Sequence, residues 1–128
     1  MSSKNYTIGK VTDHVKTGGW FVGRFMPEGT LQYDTDVEIS VKHLPKGWGL
    51  NDEHALHYHR VAKEYAIVTK GRAKVQFSGE IKEIGPGDYY ILKQGCEEKF
   101  LEILEDMELI TIKVPSVEDD KIVVTEKR

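Results

Sequence analysis

Three of the five histidines lie within six residues, in the segment His54-Ala55-Leu56-His57-Tyr58-His59. Side chains two positions apart on a β-strand point to the same face, so His57 and His59 can share one metal ion if this segment is extended. By the same count, His54 is expected on the opposite face. Alternating histidines are also found as plain outward-facing polar residues, so the pair alone leaves the metal site a hypothesis.

A carboxylate close to the two histidines would complete such a site. Glu64 lies five residues after His59, and it returns to the histidine face only if the chain turns at residues 60–63. We expect a hairpin there, with Glu64 opening the next strand and Gly71 ending that strand in another tight turn. Two imidazoles and one carboxylate form a facial triad with open positions, which suits Fe(II), Mn(II), Ni(II) or Zn(II).

The elements around this cluster have the pattern of an all-β protein. Short alternating or apolar runs recur between turn residues, and helical periodicity is almost absent. About eight strands at this spacing predict a barrel or a sandwich. The stretch Leu101–Asp106 is either a short helical turn or a continuing strand. The expected strands are Trp20–Met26, Val37–His43, His54–His59, Glu64–Lys70, Ala73–Phe77, Tyr89–Leu92, Glu97–Phe100 and Glu108–Val114.

Length and composition predict one folded domain over residues 1–128. Hydrophobic residues make up 39% of the chain, and the net charge of -3 with scattered lysines and arginines disfavours nucleic-acid binding. No apolar run approaches the roughly 18 residues of a membrane span, and the N-terminus lacks the apolar core of a signal peptide. We therefore expect a cytoplasmic protein with no membrane partner, and the single cysteine, Cys96, fits a reducing compartment.

The charged tail, residues 116–128, is most simply a solvated end. Its apolar residues Ile122-Val123-Val124 could add an edge strand or pair across a dimer.

The spacing of His57, His59, Glu64 and Gly71 resembles the first signature of the cupin superfamily at each of its ligand positions, although Asn51 stands where that signature has a glycine. The run Ile84-Gly85-Pro86-Gly87-Asp88-Tyr89-Tyr90-Ile91 resembles the Pro-Gly-Asp turn of the second cupin signature. With the flanking strands, the resemblance covers residues 37–114. It implies a double-stranded β-helix, the cupin or jelly-roll barrel, in which the triad binds a divalent metal ion. Such barrels are commonly homodimers.

The fourth metal ligand of the family is where this chain departs from the pattern. In the second signature a histidine follows a glycine by three residues, and here Gly95 is retained while Glu98 takes the position of the histidine. Lys93 and Glu102 replace a proline and an asparagine of the same signature. Three interpretations are open. Glu98 is a metal ligand, or it is a general acid or base whose pKa is raised by desolvation, or the site lost its fourth ligand together with catalysis.

These observations predict a metal-dependent cupin, with Mn, Fe, Ni or Zn, that binds a sugar, a sugar phosphate or an organic acid in the barrel. The reaction would be isomerisation or epimerisation, with Glu98 or His54 moving a proton, or oxygenation if iron is bound. A non-catalytic binding or sensor module stabilised by its metal is the alternative, and a barrel without metal is the third possibility. Candidate cations for an anionic ligand are Arg24, Lys93 and His43.

Overall fold

The computed structural model describes residues 5–125, which form two antiparallel five-stranded sheets and one short 3-10 segment, Val11–Thr17. The first sheet has the strand order β1-β2-β9-β4-β7, and the second has the order β10-β3-β8-β5-β6. The strands are β1 (Trp20–Val22), β2 (Glu38–Leu44), β3 (His57–His59), β4 (Lys63–Lys70), β5 (Ala73–Phe77), β6 (Glu80–Ile84), β7 (Tyr89–Leu92), β8 (Glu98–Ile103), β9 (Met107–Val114) and β10 (Lys121–Val123).

The all-β prediction is confirmed, and so is the jelly-roll arrangement of two facing sheets. Strand β4 shows why the alternation was informative, because Ala66 and Val68 are buried while Ile67 between them is exposed. The stretch 101–106 begins as a continuation of β8, which reaches Ile103. Within the described residues, no helix is long and apolar enough to cross a membrane.

The structure corrects several of the expected strands. Strand β1 ends at Val22, and the strand that was expected from His54 begins only at His57. Strand β6, Glu80–Ile84, was missed because its sequence is largely charged. It is an edge strand that pairs only with β5 in the described chain, so most of its side chains face water.

The apolar core lies between the sheets and ends at the wall of a cavity. Phe100 and Leu109 belong both to this core and to the cavity wall. The turn that follows β4 requires Gly71, which has a positive φ of 79° and leaves no room for a side chain beside the carbonyl of Asp106. The other buried core residues are Ala66, Val68, Ala73, Val75, Ile84, Ile103 and Met107.

The C-terminal part of the chain completes the second sheet. Strand β10 pairs with β3, with Lys121 opposite His59 and Val123 opposite His57. The edge strand expected near Ile122 is therefore present, and the tail up to this strand is not a solvated end. Asp120, directly before β10, is buried.

Candidate metal centre

His57 and His59 lie on β3 with their rings on the cavity side, 5.3 Å apart between centroids. Both side chains are buried, at 4% and 6% exposure. The short strand keeps the period of two, so the two imidazoles share a face as the sequence predicts. Burial is the main reason that the pKa of His57 falls to about 4, so its ring is neutral at pH 7.

Glu64 reaches this pair from the other sheet. Its Oε1 lies 3.2 Å from Nε2 of His59, and its side chain is buried. The expected hairpin is wrong, because β3 belongs to the second sheet while β4, which carries Glu64, lies in the first. Residues 60–62 cross between the sheets, so the carboxylate meets the imidazoles across the barrel interior and not along one ladder.

Glu98 is the first residue of β8 and stands opposite His57 in the strand register. Its Oε1 lies 3.5 Å from Nε2 of His57. Its Oε2 is buried and has no hydrogen-bond partner among residues 5–125. Burial first, and the Glu64 carboxylate second, raise the pKa of Glu98 to about 8. The geometry thus brings together all four side chains that the sequence suggested, in two imidazole–carboxylate pairs.

The outer nitrogen of His57 is held by a backbone acceptor, whereas that of His59 has only a nearby carboxylate and no hydrogen-bond partner among residues 5–125. Nδ1 of His57 donates to the carbonyl oxygen of Ala55 at 2.9 Å, because a carbonyl can only accept. This leaves the lone pair of a neutral ring on Nε2, the atom that faces Glu98. Nδ1 of His59 lies 3.7 Å from Oδ2 of Asp120. Acceptors behind histidine ligands are the usual way in which proteins orient an imidazole towards a metal.

His54 also lines the cavity, which corrects the expectation that it faces away. It precedes β3, so the alternation of a strand does not apply to it. Its ring centroid is 4.9 Å from that of His57, and one potential ligand atom from each of His54, His57 and Glu98 lies within 4.8 Å of the others. However, the amide N–H of Phe100 donates to Nδ1 of His54 at 2.8 Å.

That backbone contact determines what the His54 ring can do. Desolvation, followed by the effect of His57, lowers the pKa of His54 to about 3, so the ring is neutral. A neutral ring that accepts at Nδ1 carries its proton on Nε2. In this arrangement His54 offers the cavity a hydrogen-bond donor, whereas His57 offers a lone pair.

The donor set fits a divalent cation. Two buried carboxylates lie beside two imidazoles, and one carboxylate oxygen, Oε2 of Glu98, is left without a partner in the described chain. Burying a carboxylate is costly, and the pKa of Glu98 is raised mainly by that burial. A divalent ion would balance both carboxylate charges and use the orphaned oxygen. Two nitrogen and two oxygen donors suit Mn(II) or Fe(II) well.

Asp120 is a part of the site that the sequence did not reveal. Its carboxylate accepts the amide N–H groups of Val61 and, at 2.9 Å, Ala62, so it ties the crossing segment to the base of β10. We expect Asp120→Asn to weaken metal binding about 10- to 100-fold, because it removes the negative charge that lies 3.7 Å from Nδ1 of His59. Competition with a chelator of known affinity measures this effect. Asp119→Asn, at the exposed neighbouring position, is the control and should bind as the wild type does.

The four side chains line a cavity of about 560 Å³. Val11, Thr12 and Val15 of the 3-10 segment also line it. Of the three cations suggested for an anionic ligand, His43 lines this cavity. Arg24 instead donates through Nε to the carbonyl of Ser116 at 3.2 Å. The lysines that line the cavity are Lys42, Lys113 and Lys121.

Lys42 and Lys113 were missed because the sequence alone does not show which face of β2 and β9 is buried. Lys42 follows the buried Ser40 by two residues on β2, and Lys113 follows the buried Thr111 by two on β9, so alternation along each strand turns both lysines inward. Desolvation, followed by repulsion from Lys113, lowers the pKa of Lys42 to about 8.

Comparison with known proteins adds evidence on the fold. No family model matches the sequence, and neither does any of the curated proteins with which it was compared. Several solved structures are similar. A cupin protein from Bacteroides fragilis has 21% sequence identity, with 73% of this chain and 78% of that chain covered and a TM-score of 0.55. A nucleoside dehydratase from Streptomyces, solved with uridine, has 14% identity, coverage of 76% and 73%, and a TM-score of 0.61.

A third similar structure is the DMSP lyase from Ruegeria pomeroyi, with 18% identity and a TM-score of 0.61. The match covers 77% of this chain and 48% of the lyase. At such identities, similarity is informative about architecture and not about activity. The two facing sheets, their strand order and these similarities establish that the chain has the cupin fold.

Proposed function

We propose that this protein binds one divalent metal ion through His57, His59, Glu64 and Glu98 and acts on a small polar molecule in the adjoining cavity. The observation that carries the proposal is the convergence of two imidazole Nε2 atoms on two buried carboxylates, at 3.2 and 3.5 Å. Oε2 of Glu98, which has no hydrogen-bond partner among the described residues, further supports the proposed metal site. When bound, the ion would supply Lewis acidity to the cavity.

The residues around the ligands have separate tasks in this proposal. The carbonyl of Ala55 orients the His57 ring by a hydrogen bond, and the Asp120 carboxylate places a negative charge 3.7 Å from Nδ1 of His59. His54 donates a hydrogen bond from Nε2 to the small molecule, since its Nδ1 is occupied by the backbone of Phe100. Trp48 packs against His54, with ring centroids 5.5 Å apart, and helps to exclude water from that side.

The small molecule is a sugar, a sugar phosphate or an organic acid, and isomerisation, epimerisation or oxygenation remain the candidate reactions. The similar folds include a DMSP lyase and a nucleoside dehydratase, enzymes named for small polar substrates. A cavity of about 560 Å³ is within the usual size range of small-molecule sites.

We also propose that the protein is a cytoplasmic homodimer. Light scattering of the purified protein tests the dimer.

Metal reloading is the direct test. Protein stripped with a chelator and titrated separately with Mn(II), Fe(II), Ni(II) and Zn(II) should bind about one ion per chain by elemental analysis. A free metal concentration 100 times the dissociation constant should stabilise the fold by about 2.7 kcal/mol. That corresponds to a rise in melting temperature of roughly 10 °C for a domain of this size. The proposal fails if no ion binds in stoichiometric amount and none changes the melting temperature.

A non-catalytic, metal-stabilised binding module is the second candidate, since four protein ligands could satisfy an ion completely. The two functions differ in whether the ion keeps exchangeable water. Water proton relaxation of the Mn(II)-loaded protein should be enhanced if coordination positions stay open to the cavity. A relaxation rate no greater than that of a fully enclosed Mn(II) site would favour the binding module.

A further inference from the structure

Another group of polar side chains lies on the first-sheet wall of the cavity, next to the metal centre. The strand register aligns Glu64, Lys113 and Glu38 in one row across β4, β9 and β2. The next row on the same face contains Thr111 and Ser40, which are direct cross-strand partners. A further row contains Lys42, paired with Leu109.

Two lysines of this wall share one aromatic ring. The ammonium nitrogens of Lys42 and Lys113 lie 4.6 and 4.7 Å from the centroid of the Trp20 ring. Cation–π contacts hold them in place, but they also keep two like charges close together in a partly buried setting. Lys113 has a long contact with Glu38, at 3.8 Å, whereas Lys42 donates to the carbonyl oxygen of Gly18 at 3.4 Å and has no carboxylate within 4.0 Å in the part of the chain described here.

Two hydroxyl groups beside these lysines lack partners. Oγ of Ser40 and Oγ1 of Thr111 have no hydrogen-bond partner among residues 5–125, although the two residues are only 0% and 2% exposed. Buried hydroxyl groups are nearly always hydrogen-bonded in folded proteins. Thr111 lines the cavity, but its Oγ1 is buried, so a molecule bound there can accept its hydrogen bond only after the side chain rotates the hydroxyl towards the cavity.

The charge balance of the cavity favours an anion as its occupant. A divalent ion would balance Glu64 and Glu98. Three lysines, Lys42, Lys113 and Lys121, then remain against the lining carboxylate of Glu53 and the carboxylate of Glu38, which lies 3.8 Å from Lys113. The Glu53 carboxylate is already engaged by the backbone N–H groups of Gly49 and Asn51. The loaded cavity is therefore positive, and it attracts an anion.

We propose that Lys42, Lys113 and Thr111 form a subsite for an oxyanion, the carboxylate or phosphate group of a small substrate. The two ammonium groups would share the negative charge, and the threonine hydroxyl would donate a hydrogen bond to it. The charge balance and the assignment of the anion to the substrate rest on the proposed metal-dependent function, whereas the pair of lysines over Trp20 does not. It selects an anionic substrate, such as a sugar acid or a sugar phosphate, over a neutral sugar.

Simple probes test the subsite in the metal-free and the metal-loaded protein. Acetate and inorganic phosphate are the two anionic arms, and acetamide is the neutral analogue of acetate. The NMR signal of the Trp20 indole N–H, assigned with Trp20→Phe, reports binding. We expect at least one anion to bind about 10-fold more tightly than acetamide, with affinity that falls as salt is added. Tighter binding of phosphate indicates a phosphorylated substrate, and tighter binding of acetate indicates a carboxylic acid.

Substitutions of single lysines distinguish anion binding at the subsite from general electrostatic attraction to the protein. Lys42→Gln should lose about 10-fold in anion affinity while it retains one metal ion per chain. Lys42→Arg should keep most of the anion affinity, because it retains the positive charge. This variant keeps the test decisive if Lys42→Gln fails to fold. Lys74→Gln, on the exposed face of β5, is the matched control and should behave as the wild type.

Two results would overturn the proposed subsite. One is equal affinity for acetamide and both anions, and the other is an equal loss of anion affinity in Lys42→Gln and Lys74→Gln. Normal metal loading together with either result leaves the proposed function standing without the subsite. If no metal binds but the metal-free protein prefers anions through Lys42, the subsite stands and the proposed function fails.

Discussion

His57→Ala is expected to lose at least about 100-fold in metal affinity, a larger effect than the loss of a residue that only orients a ligand. The substitution removes the Nε2 lone pair that faces Glu98 and leaves the cross-strand pairing of β3 with β10 unchanged. Elemental analysis after equilibration in a metal buffer measures the loss, and melting temperature with and without metal gives a second readout. His43→Ala is the control, because this histidine lies at 59% exposure and pairs with Glu108.

The same experiment distinguishes two possible ligand sets. His57 and Glu98 are common to both, but His59 and Glu64 complete the proposed set, whereas His54 completes the alternative group of three. We expect His59→Ala to lose the metal and His54→Ala to retain it, because Nδ1 of His54 is already bonded to a backbone amide. The reverse result would assign the ion to His54, His57 and Glu98.

Glu98→Gln should stabilise the metal-free protein at high pH and have little effect at low pH. The pKa of Glu98 is raised from 4.5 to about 8 in the folded protein. Between these values the folded protein holds a proton that the unfolded chain lacks. The contribution of Glu98 to the free energy of unfolding is therefore largest below about pH 4.5 and is lost as the pH rises through about 8. Glutamine does not titrate, so the variant should escape this loss.

Each pKa unit corresponds to about 1.4 kcal/mol, so the shift from 4.5 to about 8 sets an upper bound of roughly 5 kcal/mol on the stabilisation above about pH 8. Urea unfolding in the presence of a chelator, at about pH 5 and about pH 8.5, measures it. Glu80→Gln is the control, since its carboxylate is 72% exposed on the edge strand β6. A gain in stability that is the same at both pH values would contradict the burial of an uncompensated carboxylate.

Bound metal should reverse the effect of Glu98→Gln on stability. With Mn(II) bound, Glu98→Gln exchanges a charged ligand for a neutral amide, so the variant should gain less stability from the metal than the wild type gains. This reversal would support Glu98 as a ligand over the two other interpretations. A general acid or base that only approaches the ion would leave metal stabilisation unchanged in the variant.

The sequence by itself determined the features that depend on local backbone geometry and on short spacing. Alternation along an extended segment places His57 and His59 on one face whatever the strand pairs with. The jelly-roll fold also followed from sequence, because strand length, turn residues and the two cupin-like motifs are read within short windows. Glu98 was recognised in the same way, from its distance to Gly95.

Only the tertiary structure decided which groups meet across the barrel. Glu64 comes from the opposite sheet. The spacing in the sequence gives the length of the segment between β3 and β4, but it does not show which sheet β4 joins. Asp120 stands behind His59 through the pairing of β10 with β3, a contact across some sixty positions of chain. Lys42 and Lys113 meet over Trp20 through the pairing of β1, β2 and β9. Such contacts depend on non-local strand register, which no short window of sequence contains.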